Sequence, residues 1–525
     1  MGGKIINFTK DNYLVSIPFI YAILLILSVV FGFLTPDSWD YLLLSNNLSI
    51  NGQCQIVNQN SYFLCGYSYL INLLSLNSDL SSLFISSKFI NYILFFFCFL
   101  ILFKTNINKS FLFIFFLNPI TLKIFHYTWS ETLMISSLIS VYALTTFSIN
   151  NPISSKKINF YLLLVLLIGL SSRYFFAPFV LLLFISFLIF YGYKKLKSIF
   201  LPYAISGIIF IIFLTFNFFE TGSIFNTVRP INLIPINYLL VDFFRAAFVI
   251  ILFFIPLIFI SIFVNFFFLK NASTDKSYIF KENNRRSFDE DNILIFFGFS
   301  TLVFTFCVRL FLEFDGFNPR TIGFQLVILF TGLFNKFFQS NYLNLQHLRP
   351  LQIILLGVIL LFASHPGLYF SKLYKVNSLN AYGEIRNFQI KLSEPKNTID
   401  IYFYPENFIN AMSPSLNLYS INKRNLIFDL PPYYPRESKV DIVNKIKIAS
   451  LDTGVENCRI RFDGIYSKSQ LTNILNKSVH ANTLYLLSEL PADENLYDQN
   501  ISKALLKTYD SKNFSCKNFI NYINL

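Results

Sequence analysis

Apolar runs of roughly 15 to 25 residues, separated by short polar links, recur along positions 1–370 of the chain. Each is of the length that carries a helix across about 30 Å of hydrocarbon at 1.5 Å per residue. They fall near 14–34, 84–104, 110–124, 130–148, 158–171, 174–193, 198–217, 239–268, 292–311, 320–339 and 350–370, and predict about eleven membrane spans. The third and fifth are short for a full crossing, so either could be a re-entrant or tilted segment. Past residue 370 the pattern changes: charges become frequent, and extended apolar stretches at Ile399–Tyr404, Asn425–Leu430, Arg459–Phe462 and Thr483–Leu487 alternate with helix-like segments. The expected fold class is a polytopic α-helical membrane protein, with a transmembrane domain over 1–370 and a soluble α/β domain over 371–525. The stretch 35–83 reads as a long first outer loop with amphipathic segments near Tyr41–Leu48 and Tyr67–Leu76.

Composition agrees with a lipid-embedded chain. Of 525 residues 54% are hydrophobic and only 14% charged, where a soluble protein carries about 25% charged residues. The net charge of +13 does not indicate a nucleic-acid partner, because the basic residues are spread over short links instead of forming one patch. Lys and Arg concentrate on alternate links, including Lys104, Lys109, Lys156, Lys157, Lys194, Lys195, Arg285 and Arg286, whereas residues 35–83 contain neither. By the positive-inside rule the N-terminus is cytoplasmic in the cell (inner) membrane, and an odd number of spans makes the C-terminal domain extracytoplasmic. The first span has no small-residue cleavage site before Thr35 and reads as a retained helix. Cys54 with Cys65, and Cys458 with Cys516, are expected to pair in an oxidising compartment. Cys98 and Cys307 lie within spans. No C-x-x-C, zinc-ligand spacing, Walker A loop or G-x-G-x-x-G turn occurs, and four scattered histidines predict neither metal nor cofactor.

With this topology the polar residues at span ends gather on the outer face. Asp37 and Asp40 follow the first span, Glu131 opens the fourth, Arg173 sits in a tight outer turn, and Arg229 follows the seventh span. Asp242 and Arg245 open the eighth, and Arg309 and Arg320 flank the turn between the ninth and tenth. Ionisable groups at such depth pair, snorkel or line a wet cavity, so their clustering points to one polar pocket. The inner cations are mostly Lys and the outer ones mostly Arg, whose planar guanidinium donates two parallel hydrogen bonds to phosphate oxygens. Simpler roles fit the same residues: a helix cap for Asp37 or Glu131, a solvated Asp40, headgroup anchoring for Arg173 and Arg320, an internal ion pair for Asp242 and Arg245.

The motifs Asp37-Ser38-Trp39-Asp40-Tyr41, Asn118-Pro119, Ser130-Glu131, Ser172-Arg173-Tyr174, Thr221-Gly222 followed by Arg229, and Asn318-Pro319-Arg320 occur in an order that resembles the GT-C glycosyltransferases over about the first 320 residues. The similarity is to the polyprenyl-phosphate-sugar dependent members, such as bacterial aminoarabinose transferases and protein O-mannosyltransferases. It implies an inverting transfer to a lipid, glycan or protein acceptor at the outer membrane face. It also implies Asp37 as catalytic base with Asp40 as substitute, Arg173 and Arg320 on the carrier phosphate, and Arg229 and Arg309 as further phosphate contacts. Glu131 is a third candidate for the base. Many relatives have adjacent acidic residues where this chain has Asp37-Ser38. Three competing readings remain: a lipid-linked glycan polymerase or ligase, a polyprenyl-lipid transporter or flippase, and a non-catalytic membrane scaffold, which would have no reason to gather carboxylates and arginines on one face. The first typically carries its large loop between late spans, and the second often shows paired halves with mid-span charges.

Overall fold

A computed structural model describes most of residues 16–221, 235–268, 280–311, 317–338 and 350–364, and only short pieces between 381 and 517; gaps within the first stretch include 55–63 and 152–154. The chain divides into two compact units, one of residues 1–34, 44–54 and 61–381, the other of 35–43, 55–60 and 382–525.

The first unit is helical. Ten of the eleven apolar runs form single helices: α1 (Ser16–Val30), α4 (Leu80–Lys104), α7 (Glu131–Asn150), α8 (Ser155–Leu170), α9 (Phe176–Leu196), α10 (Phe200–Thr221), α11 (Ile236–Phe268), α12 (Phe280–Phe311), α13 (Gly323–Phe338) and α14 (Pro350–Ser364). The amphipathic stretches of the first loop are helices too, α2 (Pro36–Asn51), which runs from the second unit into the first, and α3 (Gly66–Leu74). Among the described residues, five helices are long and apolar enough to cross a membrane: α4, α7, α9, α10 over Phe200–Phe219 and α12 over Asp289–Phe311.

The third run departs from a single span. It forms two helices of eight residues, α5 (Lys109–Phe116) and α6 (Pro119–His126), each only about 12 Å long at 1.5 Å per residue. Pro119 has no N–H to continue the ladder, and the Asn118 carboxamide oxygen caps the new helix by accepting the Ile120 N–H at 2.9 Å. The Phe116 carbonyl left at the break accepts the Tyr21 hydroxyl from α1 at 3.0 Å. A break within an apolar environment is tolerated when its backbone groups find such partners.

Burial is graded across the bundle. In α7 89% of the span-length window is buried, against 17% in α10. The buried face of α7 is rich in small residues, Ser136, Ser137, Ser140, Ala143, Thr145 and Ser148, which let neighbouring backbones approach. The exposed face of α10, Ile208, Ile211, Ile212, Phe216 and Phe219, suits hydrocarbon. At the α12/α13 crossing a Cβ on Gly298 would stand 2.7 Å from the Leu329 nitrogen, so glycine is needed for the close approach.

In the second unit, β1 (Ile399–Tyr404) is central to a four-stranded sheet of order β2-β1-β3-β6. It pairs in parallel with β2 (Asn425–Asp429) and β3 (Asn457–Phe462), and β3 pairs antiparallel with β6 (Phe514–Ser515). A separate ribbon joins β4 (Gly464–Tyr466) to β5 (Ala504–Leu506). Three of the four expected strands are thus present, while Thr483–Leu487 and Cys516 lie outside the described residues.

Cys54 and Cys65 form a disulfide between α2 and α3, as expected; Cys98 is a buried free thiol and Cys307 an exposed one. Alkylation under denaturing, non-reducing conditions, followed by peptide mass spectrometry, should label Cys98 and Cys307 and leave Cys54 and Cys65 unmodified until reductant is added.

Candidate functional site

Three segments far apart in sequence bring one carboxylate and two guanidiniums together in the first unit. Glu131 is the first residue of α7, with its side chain 5% exposed. Its Oε2 pairs with Arg173 Nη2 at 2.9 Å, and its Oε1 accepts the Nε–H of Arg320. Arg173 also donates from Nε to the Ser130 hydroxyl at 2.8 Å, and the Arg320 guanidinium lies 4.7 Å from the centre of the Trp129 ring. Trp129 itself stacks on Tyr127 at 4.1 Å. The preceding Ser130 makes no side-chain cap, and the carboxylate of Glu131 serves the arginines.

Local sequence explains each arm. Arg173 sits in the turn between α8 and α9, where the Phe176 N–H bonds the Arg173 carbonyl at 3.0 Å and the Ser171 carbonyl accepts the Gly66 N–H at 3.1 Å. A Cβ on Gly66 would come 2.5 Å from that Ser171 oxygen, so only glycine lets α3 rest on the turn. The next residue, Tyr174, takes a hydrogen bond from Asn217 of α10 at 3.3 Å. Arg320 lies in an Asx turn: the Asn318 carboxamide oxygen accepts the N–H groups of Arg320 at 2.8 Å and Thr321 at 3.1 Å. That turn is tethered by Asp242 of α11, which accepts the Phe317 N–H at 2.8 Å. Asp242 therefore supports the Arg320 turn, and no ion pair joins it to Arg245 among the described residues.

Glu131, Arg173 and Arg320 are thus brought together as the sequence led one to expect of a shared pocket. Arg309 is half-buried in the last turn of α12, and the two ion pairs of Glu131 do not include it. Arg229 lies outside the described residues. Asp37 and Asp40 lie in the first turns of α2, within the second unit. The cap of α2 is Thr35, whose hydroxyl accepts the Ser38 N–H at 3.2 Å ahead of Pro36 as first helical residue, so capping is not the role of Asp37.

Several participants went unnoticed in the sequence. Ser130 and Trp129 contact the arginines directly. Lys88 stands nine residues into α4, where it is 1% exposed and donates to the His126 carbonyl at 2.7 Å. The signal was a polar run, Ser86-Ser87-Lys88 followed by Asn91, inside an apolar stretch.

The bundle and its lipid-facing helices define a polytopic α-helical membrane protein with a buried, cation-rich centre at the helix ends. No family model and no curated protein matches the chain. Among solved structures, the crystal structure of ArnT from Cupriavidus metallidurans bound to undecaprenyl phosphate is similar with a TM-score of 0.49 and 8% identity, over 89% of this chain and 95% of that one. A likeness of that size carries no argument about activity, and the functional reading rests on the residues themselves.

Removing the shared carboxylate takes away the ion-pair partner that Arg173 and Arg320 have in common. Breaking a buried pair in this way costs about 3–5 kcal/mol. Glu131→Ala should therefore lower thermal stability clearly, Glu131→Gln less so, and adding a phosphate-bearing amphiphile should restore part of the loss in both.

Proposed function

We propose that the chain is an inverting glycosyltransferase that moves a sugar from a polyprenyl-phosphate donor to an acceptor hydroxyl at the extracytoplasmic membrane face. The observation that carries this reading is the pair Arg173 and Arg320 held on Glu131. Two guanidiniums converging on one buried carboxylate make a cation-rich point, which suits a phosphate monoanion reaching the helix ends from the lipid. The side of the membrane is supported by the Cys54–Cys65 disulfide, because Gly66, the residue after Cys65, is bonded to the turn that carries Arg173. Disulfides persist in oxidising compartments.

In this reading the acceptor oxygen bonds to the anomeric carbon as the bond from that carbon to the phosphate oxygen breaks on the opposite face. The bond electrons leave with the polyprenyl phosphate, which as an anion needs cations rather than a general acid. Arg173 and Arg320 stabilise that charge, with Arg229 and Arg309 as lesser contributors. The acceptor proton goes to Asp37, or to Asp40 as its substitute. Glu131 has both carboxylate oxygens engaged by guanidinium groups, so its role is to hold the arginines. The acceptor is a lipid, a glycan or a protein.

Purified protein supplied with synthetic prenyl-phosphate sugars tests the reading. Transfer should be lost in Asp37→Asn, and donor use in Arg173→Ala and Arg320→Ala should fall by roughly 10- to 150-fold, the value of a charge-assisted contact of about 1.5–3 kcal/mol. Full activity in Asp37→Asn would move the base to Asp40. A parent protein that transfers no sugar from any such donor, yet passes polyprenyl lipid across proteoliposomes, would replace transfer with transport.

A further inference from the structure

Asn91 is buried at 2% exposure in the middle of α4, and its side chain uses the full hydrogen-bonding capacity of an amide. The Nδ2 group donates to the carbonyls of Phe125 at 3.1 Å and Tyr127 at 2.6 Å. The Oδ1 atom accepts the Tyr67 hydroxyl of α3 at 2.7 Å and the Thr132 hydroxyl of α7 at 2.9 Å. One turn away, Lys88 holds the His126 carbonyl at 2.7 Å, and the Ser87 hydroxyl lies 2.8 Å from that of Thr128. One face of α4 therefore fixes the end of α6 and the start of the non-helical link 127–130, which leads directly into Trp129, Ser130 and then Glu131.

Those last residues are the ones that hold the arginines. Trp129 faces Arg320, Ser130 accepts from Arg173, and Glu131 pairs with both. Thr132, the residue after Glu131, is bonded to Asn91 directly. We infer that Asn91 is a positioning residue: acting through Thr132 and the 125–127 carbonyls, it sets the spacing of the Glu131–Arg173–Arg320 centre and hence its affinity for a phosphorylated lipid. The bonded network explains why an amide occupies the middle of an apolar helix. Asp would turn two donors into acceptors opposite two carbonyls, and Leu would take away both of those donors and the oxygen that two hydroxyls reach. The affinity claim rests on the phosphate reading given above, whereas the positioning claim does not.

The two claims separate experimentally because the sequence has two tryptophans, Trp39 and Trp129. In a Trp39→Phe background, emission and acrylamide quenching report Trp129 alone, and a synthetic polyprenyl monophosphate in detergent serves as the ligand. Asn91→Asp and Thr132→Val should each raise the quenching constant about twofold and weaken monophosphate binding about tenfold, while Thr132→Ser, which keeps the hydroxyl, retains both parental values. Tyr203→Phe is the control, since it removes a buried bond to Thr145 near the far end of α7. Unchanged quenching in Asn91→Asp and Thr132→Val, or an equal change in Tyr203→Phe at matched loss of melting temperature, overturns the inference. The Thr132 hydroxyl also lies 2.7 Å from the Trp129 carbonyl, so if Asn91→Asp fails to fold, Asn91→Ser, which removes both amide donors without adding a charge, decides it. A parent that does not respond to the monophosphate defeats the phosphate reading, and the quenching comparison then decides the positioning claim by itself.

Discussion

The described bundle turns on a buried carboxylate that is held by two guanidiniums. Moving an ion out of water costs several kcal/mol even after relaxation, and only close partners repay that cost. Glu131 satisfies the requirement from the start of α7, Arg173 from the turn before α9, and Arg320 from the turn before α13. Three helix ends are thereby required to meet at one point.

The surroundings act to keep that point in place. A glycine lets α3 rest on the Arg173 turn, and the neighbouring disulfide ties α3 to the end of α2. An Asx turn and the Asp242 carboxylate fix the Arg320 segment, aided by Phe317 stacking on Phe306 at 5.9 Å. The polar face of α4 secures the third side. None of these contacts is made by a guanidinium itself, yet each restricts where one can go. Preorganisation of this kind lets a binding site act without paying for its own ordering when the ligand arrives.

An apolar solvent also explains the two irregular features of the bundle. The break between α5 and α6 and the non-helical link 127–130 both expose backbone groups that lipid could not satisfy. Each is covered by a partner from a neighbouring helix: Tyr21 at the break, and Lys88 and Asn91 at the link. The small residues along α7 then allow the surrounding helices to close on it.

The sequence by itself determined which stretches become helices, because runs long enough to cross hydrocarbon leave the backbone no alternative but to bond internally. It also pointed to the Cys54–Cys65 pairing, through proximity along the chain, and to Glu131, Arg173 and Arg320 as neighbours, through their places at the ends of apolar runs. Tertiary structure alone decided that Glu131 binds both arginines and that Asp242 supports a turn rather than pairing with Arg245. It alone revealed Asn91 and Lys88 as the hold on the link before α7. Periodicity records which face of an element is apolar; it carries no record of which distant turn a single polar side chain will meet, since that is settled only when the helices pack.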